Sequence, residues 1–142
     1  MNNSRIEDLI PHRGSMLLIE RILELQATRS SAEVCIGQDS TFFEIDKGVP
    51  AWIGLEYMGQ TAALMAGYQV STGNMQASLG FLLGTRRYKA YVEYFKAGTI
   101  LQIECEQAAI VGESLATFDC RINNNNQVLA EARLSVLRKQ LP

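Results

Sequence analysis

The segment Ala51 to Gln69, AWIGLEYMGQTAALMAGYQ, is apolar almost all the way round a helical wheel and holds few β-branched side chains. A helix with no polar face cannot lie on a surface; it has to be enclosed by the rest of the chain. Pro50 precedes it at a position where proline suits a helix start. The polar exceptions are Glu56 and Gln60, four apart and so on one face. Gly54, Gly59, Ala62, Ala63, Ala66 and Gly67 are small enough for strands to pack close to the helix. Glu56, Gln60 and the glycines also interrupt the apolar stretch at residues 49–68, which argues against a membrane span.

What encloses the helix is predicted to be a sheet. Ser4 and Glu7 form a capping box for a short helix that Pro11 and Gly14 end near Ile10. Met16 to Leu25 and Ser31 to Gly37 read as the first two strands, and Asp39 to Val49 as irregular. After a polar loop at Ser71 to Gln76, Leu79 to Leu83 leads through an irregularity at Gly84 into Tyr88 to Tyr94. Lys96-Ala97-Gly98 then turns into Thr99 to Ile110, where Leu101, Ile103 and Cys105 alternate with Gln102, Glu104 and Glu106. Ala116, Phe118, Cys120 and Ile122 alternate likewise, Asn123 to Asn126 supplies a hairpin turn, and Val128 to Val136 forms the last strand. No long crossover connects these strands, so pairing is antiparallel. The expected architecture is α+β, one domain over residues 1–142, with about six antiparallel strands wrapped around one central helix. Such a sheet leaves open edges that dimerisation into a longer sheet would cover.

Composition narrows the function classes. Thirteen basic against 15 acidic side chains give a net charge of -2, with no basic stripe, which excludes a nucleic-acid footprint. Met1 to Ile10 is polar and acidic, unlike a secretory signal, so the cytoplasm is expected. Cys35, Cys105 and Cys120 are widely separated and lack CxxC spacing, so neither a disulfide framework nor a metal site is expected; they read as small buried apolar residues. No GxSxG, phosphate-binding loop or HxxE-type metal spacing is present.

Three features can carry chemistry. Glu56 on an enclosed helix must find a partner or take up a proton. It is either a salt-bridge partner for Arg13, Arg86 or Arg87, or an acid–base group in a dry cleft. His12 is the chain's one histidine, set between turn-forming residues, and is either a hydrogen-bonding surface residue or the imidazole of a site. Ala51, Trp52 and Ile53 offer backbone N–H groups at the helix start, where the helix dipole also favours a developing oxyanion.

With these residues in place the sequence resembles the hot-dog-fold 3-hydroxyacyl-[acyl-carrier-protein] dehydratases of the FabA/FabZ superfamily, most of all the aryl-polyene-associated, ApeP-like branch. Ile10-Pro11-His12-Arg13 with Met16-Leu17-Leu18-Ile19-Glu20-Arg21 looks like the opening PHR-x3-LLxDR block, with Glu20 in place of aspartate. Pro50 to Gln60 looks like the central-helix signature, and Gly80 to Gly84 and Lys96 to Thr99 fit the strand and turn that wall the acyl tunnel. The better-known branches place a histidine fourteen residues before the acid, which is Phe42 here; the histidine of the opening block, present in the aryl-polyene branch, matches His12.

The resemblance implies that Glu56 and His12 are the catalytic pair, His12 as base and Glu56 as acid or the reverse. Amides near Ala51 and Trp52 would hold the thioester oxygen, Gln60 would orient Glu56, and Leu82 and Leu83 would line the acyl channel. It implies dehydration of an acyl-carrier-protein-bound 3-hydroxyacyl thioester to the 2-enoyl thioester. No metal or organic cofactor is needed beyond the phosphopantetheine that carries the substrate. Expected partners are an acyl carrier protein and a second subunit, in a homodimer or in a heteromer with another dehydratase. Thioester hydrolysis with Glu56 activating water, and a non-catalytic role in a heteromeric dehydratase, are the alternatives.

Overall fold

The computed structural model describes residues 6–73, 78–112 and 115–140, and at 78–86, 111 and 138–140 the backbone alone. A short helix α1 (Ile6–Leu9) and a 3-10 turn (Gly14–Met16) precede β1 (Arg21–Leu25) and β2 (Arg29–Cys35). Strand β3 (Val49–Pro50) and a second 3-10 turn (Ala51–Ile53) open the central helix α2 (Gly54–Ser71). The chain finishes through β4 (Ser78–Ala90), β5 (Tyr94–Phe95), β6 (Ile100–Val111), β7 (Leu115–Asn124) and β8 (Gln127–Gln140). Strands β1, β2, β6, β7, β8 and β4 form, in that order, one six-stranded antiparallel sheet, and β3 pairs with β5. The six-stranded sheet around one helix is the architecture expected from the sequence. Ser4, the predicted capping residue, lies outside the described residues.

Alternation produces the core. On β7, Ala116, Phe118, Cys120 and Ile122 are buried while Asp119 and Arg121 face out, and on β6 Leu101, Ile103 and Cys105 are buried. Ile103 is the register partner of both Ile122 and Ala32, so three strands set apolar side chains side by side under α2. From the helix, Met58, Leu64 and Met65 fill the space above them. Full burial of one such Leu or Met contributes about 1.5–3 kcal/mol. The Asn124↔Gln127 pairing leaves Asn125 and Asn126 as a two-residue turn, with Asn125 at φ 56, as the asparagine run predicts.

Four local expectations are corrected. Leu17 to Glu20 is not strand, although it is rich in Leu and Ile; the Leu18 N–H is held by a side chain of α2 instead of a neighbouring strand. The Leu79–Tyr94 region is one strand that ends at Ala90 and not at Tyr94; the irregularity expected at Gly84 is present as a register shift at Leu82/Gly84, with a second at Thr85/Arg87. Gly67 admits α1 and not a strand: a Cβ there would lie 2.1 Å from the Leu9 carbonyl oxygen. Cys35, at the end of β2, is exposed, whereas Cys105 and Cys120 are buried.

Candidate active site

The turn that carries His12 is tied down from within. Leu9 and Ile10 are buried, and the Arg13 guanidinium donates to the carbonyl oxygens of Glu7, Ile10 and His12, each at 2.7 Å. This places His12 Nε2 at 3.5 Å from Glu56 Oε1, across the first turn of α2. That is ion-pair range, slightly longer than a close hydrogen bond. Glu56 is less enclosed than the apolar wheel suggests: its side chain is 40% exposed and that of His12 28%. Of the arginines weighed for Glu56, Arg13 is engaged with backbone carbonyls, and the side chain of Arg86 lies outside the described residues.

Gln60 organises the pair. It is fully buried, its Oε1 accepts from the Leu18 N–H at 2.9 Å, and its Nε2 donates to the Met16 carbonyl at 2.7 Å and to Glu56 Oε1 at 3.1 Å. The backbone partners fix which end of the amide is nitrogen, so Glu56 Oε1 faces a donor. His12 Nδ1 is buried and has no acceptor among the described residues.

At the helix start the Ala51 N–H donates to the Glu93 carbonyl at 2.9 Å, which commits one of the two amides expected to hold an oxyanion. The Trp52 N–H stands next, where a helix supplies no acceptor of its own. The Trp52 ring is 64% exposed and lies 6.3 Å from that of Phe42, itself 45% exposed with φ 70. Phe42 therefore joins Trp52 in an aromatic patch beside the site. Leu82 and Leu83 sit on β4 around its first register shift, and their side chains lie outside the described residues. Sequence reasoning missed the backbone groups of Met16, Leu18 and Glu93, which have no side-chain signature.

A depression of about 850 Å3 lies away from this site, on the outer face of the sheet. Its charges pair with one another, Arg29 with Glu106, Arg121 with Glu104 and Arg133 with Asp119, as on an ordinary solvated sheet face. Among the described residues no group of His, Cys, Asp and Glu is arranged to hold a metal ion, and no helix is long and apolar enough to cross a membrane.

An antiparallel sheet wrapped around one long helix, with an acid in that helix's first turn, defines a hot-dog domain. The chain belongs to the ApeP-like family, described as ApeP dehydratase, which it matches over residues 4–141. Among solved structures it resembles the dehydratase heterocomplex ApeI:P from Xenorhabdus doucetiae, with TM-score 0.88 and 24% identity over 98% of this chain and 93% of that one. It also resembles an HP0420 homologue from Helicobacter felis (TM-score 0.73, 10% identity, 100% and 94% covered). A hypothetical thioesterase with coenzyme A from Streptococcus pneumoniae TIGR4 shares the fold at TM-score 0.66 and 14% identity, covering 85% and 88%. No curated protein matches the chain.

Proposed function

We propose that this protein dehydrates a 3-hydroxyacyl thioester, carried on the phosphopantetheine of an acyl carrier protein, to the 2-enoyl thioester. The observation that carries the reading is the approach of His12 Nε2 to Glu56 Oε1 at 3.5 Å beside the start of α2. Glu56, which accepts from the Gln60 amide and lies 3.5 Å from His12 Nε2, takes the proton from C2. The electron pair moves into the thioester carbonyl, whose oxygen the Trp52 N–H and the helix dipole stabilise. The C3–O bond then breaks as His12, in its protonated form, gives the Nε2 proton to the hydroxyl, which leaves as water while the ring becomes neutral. Return of the proton from Glu56 to His12 across their short separation restores the pair. This makes Glu56 the base and His12 the acid, the reverse of the order first considered from the sequence. Positioned acid–base groups of this kind contribute about 10²–10⁴ in rate. No metal or organic cofactor takes part in the steps proposed.

The proposed setting is the cytoplasm, and the proposed partner a second dehydratase subunit. The ApeI:P heterocomplex shares the fold, and the open edge of β4 and the Phe42–Trp52 patch offer surfaces for such a subunit. The test is to supply a 3-hydroxyacyl thioester to the chain, alone and with a co-expressed dehydratase subunit, and to follow enoyl absorbance and free thiol in one sample. Enoyl product without thiol is expected. Thiol release without enoyl product would replace dehydration by hydrolysis.

A further inference from the structure

Ala51 is clamped from both ends of its peptide. Its N–H donates to Glu93, and its carbonyl accepts from the Gly54 N–H and from the Tyr88 hydroxyl, which reaches it from β4. Tyr88 arrives there because β4 shifts register between Thr85 and Arg87, the kind of irregularity that re-aims the next side chain. Its ring is half-buried and packs against the core. The space it uses is left by Gly54: a Cβ at that position would stand 2.3 Å from the Tyr88 oxygen and 2.9 Å from Ile122 Cδ1.

We propose that Tyr88 is a positioning residue that, through the Ala51 carbonyl, fixes the 3-10 turn whose Trp52 amide receives the thioester oxygen. This rests on the dehydratase reading above. The hydroxyl touches no reacting atom; it sets where the amide next to its acceptor points. Burial pushes the phenol up to about 12, so it remains a neutral O–H donor throughout the neutral range. Gly54 serves the same arrangement by leaving room for the oxygen, so the two residues act as one unit.

The experiment compares wild type, Tyr88→Phe, Gly54→Ala and the double variant on a 3-hydroxyacyl thioester, and records the carbonyl stretch of a bound, 13C-labelled saturated acyl thioester. Tyr88→Phe is expected to lower kcat by about 10- to 10²-fold with KM within about twofold, and to move the carbonyl stretch back towards its value in water. Gly54→Ala should do the same, and the double variant should be no slower than the slower single one. A Tyr88→Phe protein of lower stability but unchanged kcat and carbonyl stretch would overturn the inference, as would additive losses in the double variant. Should Tyr88→Phe fail to fold, the same two readouts on Gly54→Ala decide. If wild type forms no enoyl product, the dehydratase reading fails; if it does and the stretch ignores both substitutions, only the role of Tyr88 fails.

Discussion

Gln60 Nε2 lies 3.1 Å from Glu56 Oε1, one turn earlier on α2, and the same nitrogen holds the Met16 carbonyl at 2.7 Å. One buried amide thus links the acid to the segment that follows His12. Gln60→Leu removes the partner of the buried Leu18 N–H, which costs about 1–3 kcal/mol, and that of the Met16 carbonyl, which water can reach on an exposed residue. The expected loss of stability is about 1–3 kcal/mol, read as a lower urea midpoint at unchanged slope. The expected kinetic effect is a fall in kcat larger than any rise in KM. An unchanged midpoint would remove Gln60 from this linking role.

The roles of the two catalytic groups separate with a better leaving group. A 3-chloroacyl thioester needs a base at C2 but little help from an acid at C3, because chloride departs unaided. His12→Gln should retain most chloride elimination while losing dehydration, and Glu56→Gln should lose both. The opposite pattern would make His12 the base.

Stability is expected to fall in alkali. Burial raises Tyr88 from an ordinary value near 10 to about 12, and raises Tyr57 also. Above pH about 10 the unfolded chain releases phenolic protons that the folded chain keeps, so the unfolded state binds fewer protons and stability drops as pH rises. The contribution is whole below the unfolded value and lost as pH passes the folded one. Urea midpoints followed from pH about 8 to 11 should decline, and Tyr88→Phe should flatten the decline. A slope unaffected by that substitution would contradict the burial of Tyr88.

The sequence made some of this legible and some not, for physical reasons. A helix apolar on all sides and the period-two burial of β7 are collective signals, spread over many residues, and both elements appear where expected. The spacing of Glu56 and Gln60 was equally readable, because a helix forces i and i+4 onto one face. The strand expected over Leu17 to Glu20 failed, since Leu18 and Ile19 are buried and the Leu18 N–H goes to Gln60 on α2, and the first bond to β2 is made by the Glu20 N–H. Gln60's grip on Met16 and Leu18, Glu93's on Ala51, and the neighbour Gly67 admits are matters of backbone approach, which residue types do not encode. His12 was identifiable as the one imidazole, but its distance to Glu56 depends on α1 docking at Gly67.

That distance makes the central claim testable by one comparison, kcat/KM for dehydration of a 3-hydroxyacyl thioester by wild type, His12→Ala and Glu56→Gln. Each substitution is expected to lower it by about 10²-fold or more, with the urea midpoint held near that of wild type. Full activity in His12→Ala would contradict the account, because the imaginable partner of Glu56 would then lie outside the pair that the fold brings together.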